Sequence, residues 1–318
     1  MTTSRVLVTG GSGFLAGHII RQLLDQGHDV RATARDPRRA PRLGATEFVR
    51  ADLTADDGWA EAVADRDYVL HVASPVRPGP VADENDLIVP AREGTLRVLR
   101  AARDAGVKRV VLTSAFHAVG WGHPRTGHTF TEDDWTVLDG PGVDAYGRSK
   151  TLAERAAWDL LDGSATELTT ILPVAVMGPL TGDSVSGANH VVQRLLTGQM
   201  PGLLNLWFPI VDVRDVAAAH LLAMTGPEAA GQRFLAAGGP AMSMSEIAAV
   251  LRDNLGDAAA KVPANVIPDS LVTPPLPDLG LVRKVSGEKA RRVLGWQARP
   301  AGEAILAAAS SLIDRGLV

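Results

Sequence analysis

No cysteine occurs among the 318 residues. That excludes disulfides, thiolate metal sites and cysteine nucleophiles, and it fits a reducing compartment. Aromatic residues are scarce, at 4%, and just 2 are tyrosines. Neither sign of charge dominates: 32 Lys and Arg stand against 36 Asp and Glu, a net charge of −4. Without a basic stripe, a nucleic-acid partner is not expected. No apolar run reaches the length that crosses a bilayer, so no membrane partner is expected either. The first residues lack the long apolar stretch and small-residue cleavage site of a secretory signal, and a cytoplasmic protein is the expectation. His117, His123 and His128 share one stretch, but their spacing is not that of a helix-borne metal pair and no carboxylate partner is evident. No metal site is expected. There is no internal repeat and no low-complexity tail.

What the chain does have is apolar residues, 46% of the total, enough for a large core. Their pattern alternates between strand and helix periods. Short β-branched runs at 5–9, 29–34, 47–50, 67–72 and 109–113 are predicted strands. Helical periodicity marks 17–26, 59–64, 88–105 and 145–161. A further strand is predicted over 169–177, and helices return at 212–224 and 245–255. Repeated βαβ units imply an α/β fold, a doubly wound parallel sheet of the Rossmann kind with a small C-terminal substrate lobe. Residues 1–178 are expected to be mainly the dinucleotide-binding domain. Residues 179–318 are expected to be mainly the lobe, with segments at about 205–235 returning to the main sheet.

The first strand runs into Thr9-Gly10-Gly11-Ser12-Gly13-Phe14-Leu15-Ala16, which reads G-x-x-G-x-x-A. Gly10 permits the tight turn, Gly13 lets the backbone approach a pyrophosphate, and Ala16 keeps helix and strand close. Ser12, Phe14 and Leu15 sit at the helix N-terminus, whose free N–H groups and positive partial charge attract an anion. The second strand ends in Ala34-Arg35-Asp36. An acidic residue at that end would hold the ribose 2′-hydroxyl of NAD, whereas the guanidinium of Arg35 matches a 2′-phosphate. NADP(H) is the expected cofactor, with Asp36 as the alternative ribose contact. Asp52 and Leu53 after the third strand are candidate adenine contacts. Val72 and Ala73 after the fourth strand, and Thr113 ending the fifth, are candidates to lie beneath the cofactor.

Tyr146-Gly147-Arg148-Ser149-Lys150 gives Y-x-x-x-K at the start of a helix. Residues four apart share a helical face. A cationic lysine beside the phenol is expected to lower its pKa and let it trade a proton with a substrate oxygen. Lys150 is also placed to hold a nicotinamide ribose. Glu132-Asp133-Asp134 is expected to be a solvated loop or helix cap. Trp121, Trp207 and Phe208 are candidates for an apolar substrate pocket or for core.

With these motifs the chain resembles the extended short-chain dehydrogenases/reductases. It is most similar to their branch of dihydroflavonol reductases, cinnamoyl-CoA reductases and NADPH-dependent aldehyde/ketone reductases. The likeness rests on VTGGSGFLAG at 8–17, VRATARDP at 30–37, HVASP at 71–75, RVVLTSA at 109–115 and YGRSKTLAERAAW at 146–158. It extends through LPVAVMGP at 172–179, VDVRDVAAAH at 211–220 and KARRVLGWQARP at 289–300. The resemblance implies that Arg35 binds the 2′-phosphate, Tyr146 is the acid/base, Lys150 assists it, and Pro173 and Val176 flank the nicotinamide. It also implies a small carbonyl or alcohol substrate and a monomer or homodimer. One departure stands out. The family places a Ser or Thr after the fifth strand to hydrogen-bond the substrate oxygen, and here that position is Ala115. Ser114, one place earlier, would face the other way in a regular strand unless a bulge turned it inward. Ser114, His117 or an ordered water is left to fill the role. The expected function is NADP(H)-dependent reduction of an aldehyde or ketone. The alternatives are a sugar-nucleotide epimerase or hydroxysteroid dehydrogenase of the same fold, and a non-catalytic NADP(H) sensor.

Overall fold

Strands that are apolar on both faces persist only where both faces are covered. Those near the N-terminus are of this kind: β1 (Arg5–Val8) is buried at Val6, Leu7 and Val8, and β5 (Arg109–Thr113) from Arg109 to Leu112. A computed structural model describes residues 3–75, 81–274 and 276–318. Between those two strands come α1 (Phe14–Asp25), β2 (Asp29–Ala34), β3 (Glu47–Arg50), α2 (Trp59–Val63), β4 (Tyr68–His71) and α3 (Asn85–Asp104). Then follow β6 (Thr129–Phe130), α4 (Ala145–Leu161), β7 (Glu167–Pro173), β8 (Ala175–Met177), α5 (Asn189–Leu196), β9 (Trp207–Phe208), β10 (Ile210–Asp212), α6 (Val213–Thr225) and β11 (Arg233–Ala236). The chain ends with β12 (Met242–Ser243), α7 (Met244–Leu255), β13 (Lys284–Val285), α8 (Glu288–Leu294) and α9 (Ala301–Asp314).

Seven strands form one sheet in the order β3-β2-β1-β4-β5-β7-β11. Every pairing in it is parallel. One face buries Val6, Val8 and Leu70 against Ile19 and Ile20 of α1 and Val216 of α6. The other buries Leu7, Val69 and Val110 against Val98 and Leu99 of α3 and Ala157 of α4. A third apolar cluster joins α5, α7 and α9 through Leu195, Ile247, Leu251, Ile305 and Leu312. This is the doubly wound Rossmann sheet. Its order reverses between β1 and β4, and at such a switch point a crevice opens beyond the carboxyl ends of the strands. Among the described residues no helix is long and apolar enough to cross a membrane.

Two local expectations change. The strand predicted over 169–177 divides after Pro173. β7 stays in the main sheet, while β8 leaves it to pair with β10. Glu132 is not solvated. It is 7% exposed, and its Oε1 accepts the Leu235 N–H at 2.8 Å. The outer edge of β11 would otherwise offer that donor to solvent or another chain. Arg233 adds to the cover: its guanidinium lies 3.7 Å from the Trp135 ring centroid and donates to the Asp134 carbonyl at 2.9 Å.

Candidate active site

The glycine loop joins β1 to α1 at the switch point. Gly10 has φ +68°, a conformation that side chains disfavour, and a Cβ there would meet Ala73 at 3.1 Å. Its N–H donates to Thr33 Oγ1 at 3.0 Å, and the Gly13 N–H donates to the Gly10 carbonyl at 2.8 Å. α1 then begins with no side-chain cap, so among the described residues its first-turn donors are not taken by a capping side chain. Ser12 and Gly13 are exposed, and Phe14 and Leu15 are half-buried. An uncapped, exposed helix start behind a glycine turn fits a pyrophosphate.

Thr9 ties this loop to the next strand. Its hydroxyl oxygen accepts the N–H groups of Val72 and Ala73, both at 3.0 Å. The hydroxyl proton therefore goes to His71 Nδ1, 2.8 Å away. His71 Nε2 is then the protonated nitrogen, buried with no partner among the described residues. Burial, and secondarily the charge of Lys150, push this imidazole down to about 3, so it is neutral.

Arg35 is exposed at the end of β2 and makes no hydrogen bond or ion pair among the described residues. Asp36 is otherwise engaged: it pairs with Arg38 at 3.1 Å and accepts the Arg38 N–H that starts a short turn. Asp52 folds back on Thr54, accepting its N–H at 2.9 Å and its hydroxyl at 2.8 Å. Those bonds, and more weakly the charge of Arg35, hold the Asp52 carboxyl below the usual carboxylate range. Leu53 lies against Gly94 of α3, where an added Cβ would come within 2.8 Å of it.

Tyr146 stands in the first turn of α4. Asp144 caps that helix by accepting the Gly147 N–H at 2.8 Å. One turn on, Lys150 is buried with its Nζ 5.9 Å from the Tyr146 ring centroid. Here a sequence expectation reverses. Burial, with a smaller contribution from Asp144, pushes the phenol up to about 12, and burial pushes Lys150 down to about 8. Desolvation penalises both charged forms more than the two groups relieve each other at this separation.

The end of β5 spends its hydroxyls on the scaffold. Thr113 Oγ1 lies 2.7 Å from His220 Nε2 on α6, and His220 Nδ1 donates to the Val216 carbonyl at 2.8 Å. Burial pushes His220 down to about 4, so Nε2 is the acceptor of the Thr113 proton. Ser114 donates to Glu154 Oε2 at 2.6 Å. The same carboxylate accepts from Thr170 at 2.9 Å and Arg233 Nε at 2.8 Å. Thr113, Ser114, Lys150 and Glu154 together line a cavity of ≈ 10 Å³. Ala115 is extended (φ −159°, ψ 157°) and buried. Pro173 ends β7 beside Ala236, and Val176 in β8 pairs with Val211. Pro173 thus lies at the carboxyl end of its strand in the main sheet, and Val176 follows three residues on, outside that sheet.

Sequence spacing missed Glu154, although it lies four residues beyond Lys150 on the same helical face. It left His117 open. That ring meets Tyr146 edge-to-face, with centroids 4.9 Å apart at 76°, and stacks on Trp121 at 3.8 Å. Trp207 and Phe208 form the short β9, where Trp207 Nε1 donates to Asn205 at 3.2 Å. His128 is within 3.0 Å of Asp134, and His123 within 3.0 Å of the Val119 carbonyl.

A parallel sheet with a glycine loop at its switch point fits a dinucleotide-binding protein, and Lys150 of the Tyr–Lys helix lies beside Thr113 and Ser114 at the carboxyl end of β5. The chain belongs to the NAD dependent epimerase/dehydratase family, whose model matches residues 6–237. It is an oxidoreductase of the extended short-chain dehydrogenase/reductase type. It is 31% identical to the ketoreductase azaE of Aspergillus niger, over 98% of each chain. It is 32% identical to the cinnamoyl-CoA reductase CAD2 of Medicago truncatula, over 98% of this chain and 96% of that one. Among solved structures it superposes on yeast methylglyoxal/isovaleraldehyde reductase Gre2, complexed with NADPH, with TM-score 0.84 and 28% identity, covering 99% of this chain and 100% of the other.

Proposed function

We propose that the chain reduces an aldehyde or ketone to an alcohol with NADPH, Tyr146 giving the proton. The observation that carries this is the pairing of Tyr146 with Lys150 on one face of α4, beside the carboxyl edge of the sheet. Whole-length similarity to a ketoreductase and to an NADPH-complexed aldehyde reductase supports it. Gly10, Ser12, Gly13, Phe14 and Leu15 would hold the pyrophosphate, and Asp52 and Leu53 the adenine side. Val72, Ala73, Thr113, Pro173 and Val176 would line the path to the nicotinamide. Arg35 would take the 2′-phosphate. Its lack of an ion pair among the described residues, and the engagement of Asp36 by Arg38, favour NADP(H) over NAD.

When bound, the dihydronicotinamide supplies a hydride to the carbonyl carbon. The chain's own residues then have to deliver a proton to the oxygen. A phenol pushed up to about 12 is protonated throughout neutral pH, the form that a reduction needs. Lys150, at about 8, is still mostly a cation at neutral pH. Its charge would orient the ribose and ease proton loss from Tyr146 as negative charge moves onto it. The test is NADPH oxidation over a panel of aldehydes, ketones and nucleotide sugars. Turnover of a simple carbonyl supports the reading. Interconversion of nucleotide sugars without net NADPH oxidation would overturn it, as would tight NADPH binding with no turnover.

A further inference from the structure

We propose that His117 is a catalytic residue, its ring N–H donating the second hydrogen bond to the substrate's carbonyl oxygen beside Tyr146. The proposal rests on the reductase reading above and deepens it. A carbonyl oxygen has two lone pairs, and Tyr146 addresses one. A buried phenol is a weak acid, so a second donor is needed to polarise the carbonyl before the proton moves. The three residues at the end of β5 do not supply it. Thr113 gives its proton to His220, Ser114 gives its proton to Glu154, and Ala115 has none.

His117 lies two residues beyond Ala115, in the turn Phe116–Ala118, and it touches the Tyr146 ring. Its ring nitrogens have no hydrogen-bond partner among the described residues, whereas its backbone is firmly held. Thr136 Oγ1 donates to the His117 carbonyl at 2.8 Å and accepts the Trp121 N–H at 3.1 Å. The imidazole lies 12° from parallel with Trp121, and Arg283 covers that indole with its guanidinium 4.2 Å from the centroid. Arg283 is anchored in turn by the Gly120 carbonyl at 2.9 Å and Asp278 at 2.8 Å. Stacking fixes the plane of the ring, and ring N–H bonds lie in that plane. This is a donor held ready by its surroundings rather than one that must be ordered during the reaction. Burial pushes the imidazole down to about 4, so at neutral pH it is a neutral donor and not a competing acid. In the step itself the hydride forms the new C–H bond, Tyr146 loses its proton to the oxygen, and His117 keeps its own.

His117→Phe preserves a flat ring against Trp121 and removes the donor. Loss of one such donor costs about 10²–10³ in kcat, with NADPH affinity by fluorescence titration changed less than about threefold. His117→Gln returns an N–H and is expected to recover about tenfold of that loss. His117→Leu, also without a donor, repeats the comparison in case the phenyl ring disturbs packing. Turnover near the parent's in both His117→Phe and His117→Leu, while Tyr146→Phe abolishes it, would overturn the assignment and leave the reductase reading standing. So would a large loss in Ser114→Ala with the His117 variants unaffected. A parent chain that oxidises no NADPH with any carbonyl brings down the reductase reading, and this one with it.

Discussion

Arg35→Asp would test cofactor choice without touching the acid/base chemistry. The native side chain is exposed and makes no hydrogen bond or ion pair among the described residues. Exposed positions of that kind change stability by about ±0.5 kcal/mol, so lost activity could not be blamed on unfolding. A charge-assisted hydrogen bond contributes about 1.5–3 kcal/mol, or about ten- to a hundredfold in binding. Aspartate removes that contact and sets a carboxylate beside Asp52 and against the 2′-phosphate, which puts the loss with NADPH near the upper end. NADH carries no such phosphate, and an acidic residue there can accept its ribose hydroxyls. The ratio of kcat/KM for NADPH over NADH should therefore fall about a hundredfold or more. Initial rates with each cofactor on the best carbonyl, followed by dihydronicotinamide absorbance, measure it. A ratio that moves less than about threefold would show that Arg35 does not carry the preference. Equal use of both cofactors by the native chain would refute the reasoning outright.

Tyr146→Phe keeps the ring and its contact with His117, so kcat should fall at least ~10²-fold with NADPH affinity little changed; near-native turnover would mean that the proton comes from elsewhere. Lys150 titrates in the free protein at about 8, and it is charged below that pH and neutral above it. The kcat/KM for NADPH, which reports free-enzyme groups, should hold on the acid side and decline as pH rises through about 8; a profile flat to about pH 10 would contradict this. Glu154→Gln leaves the Arg233 guanidinium buried without its carboxylate, at a cost of about 3–5 kcal/mol. Thermal or denaturant unfolding would register that, and a change under about 1 kcal/mol would show the pair to be dispensable.

Elements fixed by short-range pattern were legible from residues alone. β1, the glycine loop and α1 follow from a β-branched run, a turn and a helical period lying side by side. Tyr146 and Lys150 could be paired because the helix sets their spacing. The division of 169–177 was not legible, because Leu172-Pro173-Val174-Ala175-Val176-Met177 stays apolar across the point where the chain leaves the main sheet. Glu132 resembled a solvated acid because its partner, the Leu235 N–H, lies about a hundred residues away. The contact of His117 with Tyr146 has the same character, since only the packing of α4 against the end of β5 creates it. The direction of the Tyr146 shift was missed because spacing reveals the neighbouring charge and not the loss of solvent.

Glu154 explains why the polar residues at this end of the sheet divide as they do. Its carboxylate is 1% exposed and gathers a hydroxyl from the residue that follows β5, a hydroxyl from β7 and a guanidinium from β11 onto α4. Such a buried anion persists only when its lone pairs are filled, and these three residues supply the donors. Those bonds set α4 against the sheet, and so set Lys150 one turn above Glu154 and Tyr146 one turn above that. Ser114 helps to hold the Tyr–Lys face in place, and a hydroxyl used in that way is not free to meet a substrate. In the proposed reaction, polar chemistry at the substrate side would fall to groups outside the cluster, on the first turn of α4 and on the Phe116–Ala118 turn that packs against it. The scaffold and the proposed reaction thus draw on different donors. Substitutions in the Glu154 cluster should act first on stability, and those at Tyr146 and His117 first on kcat.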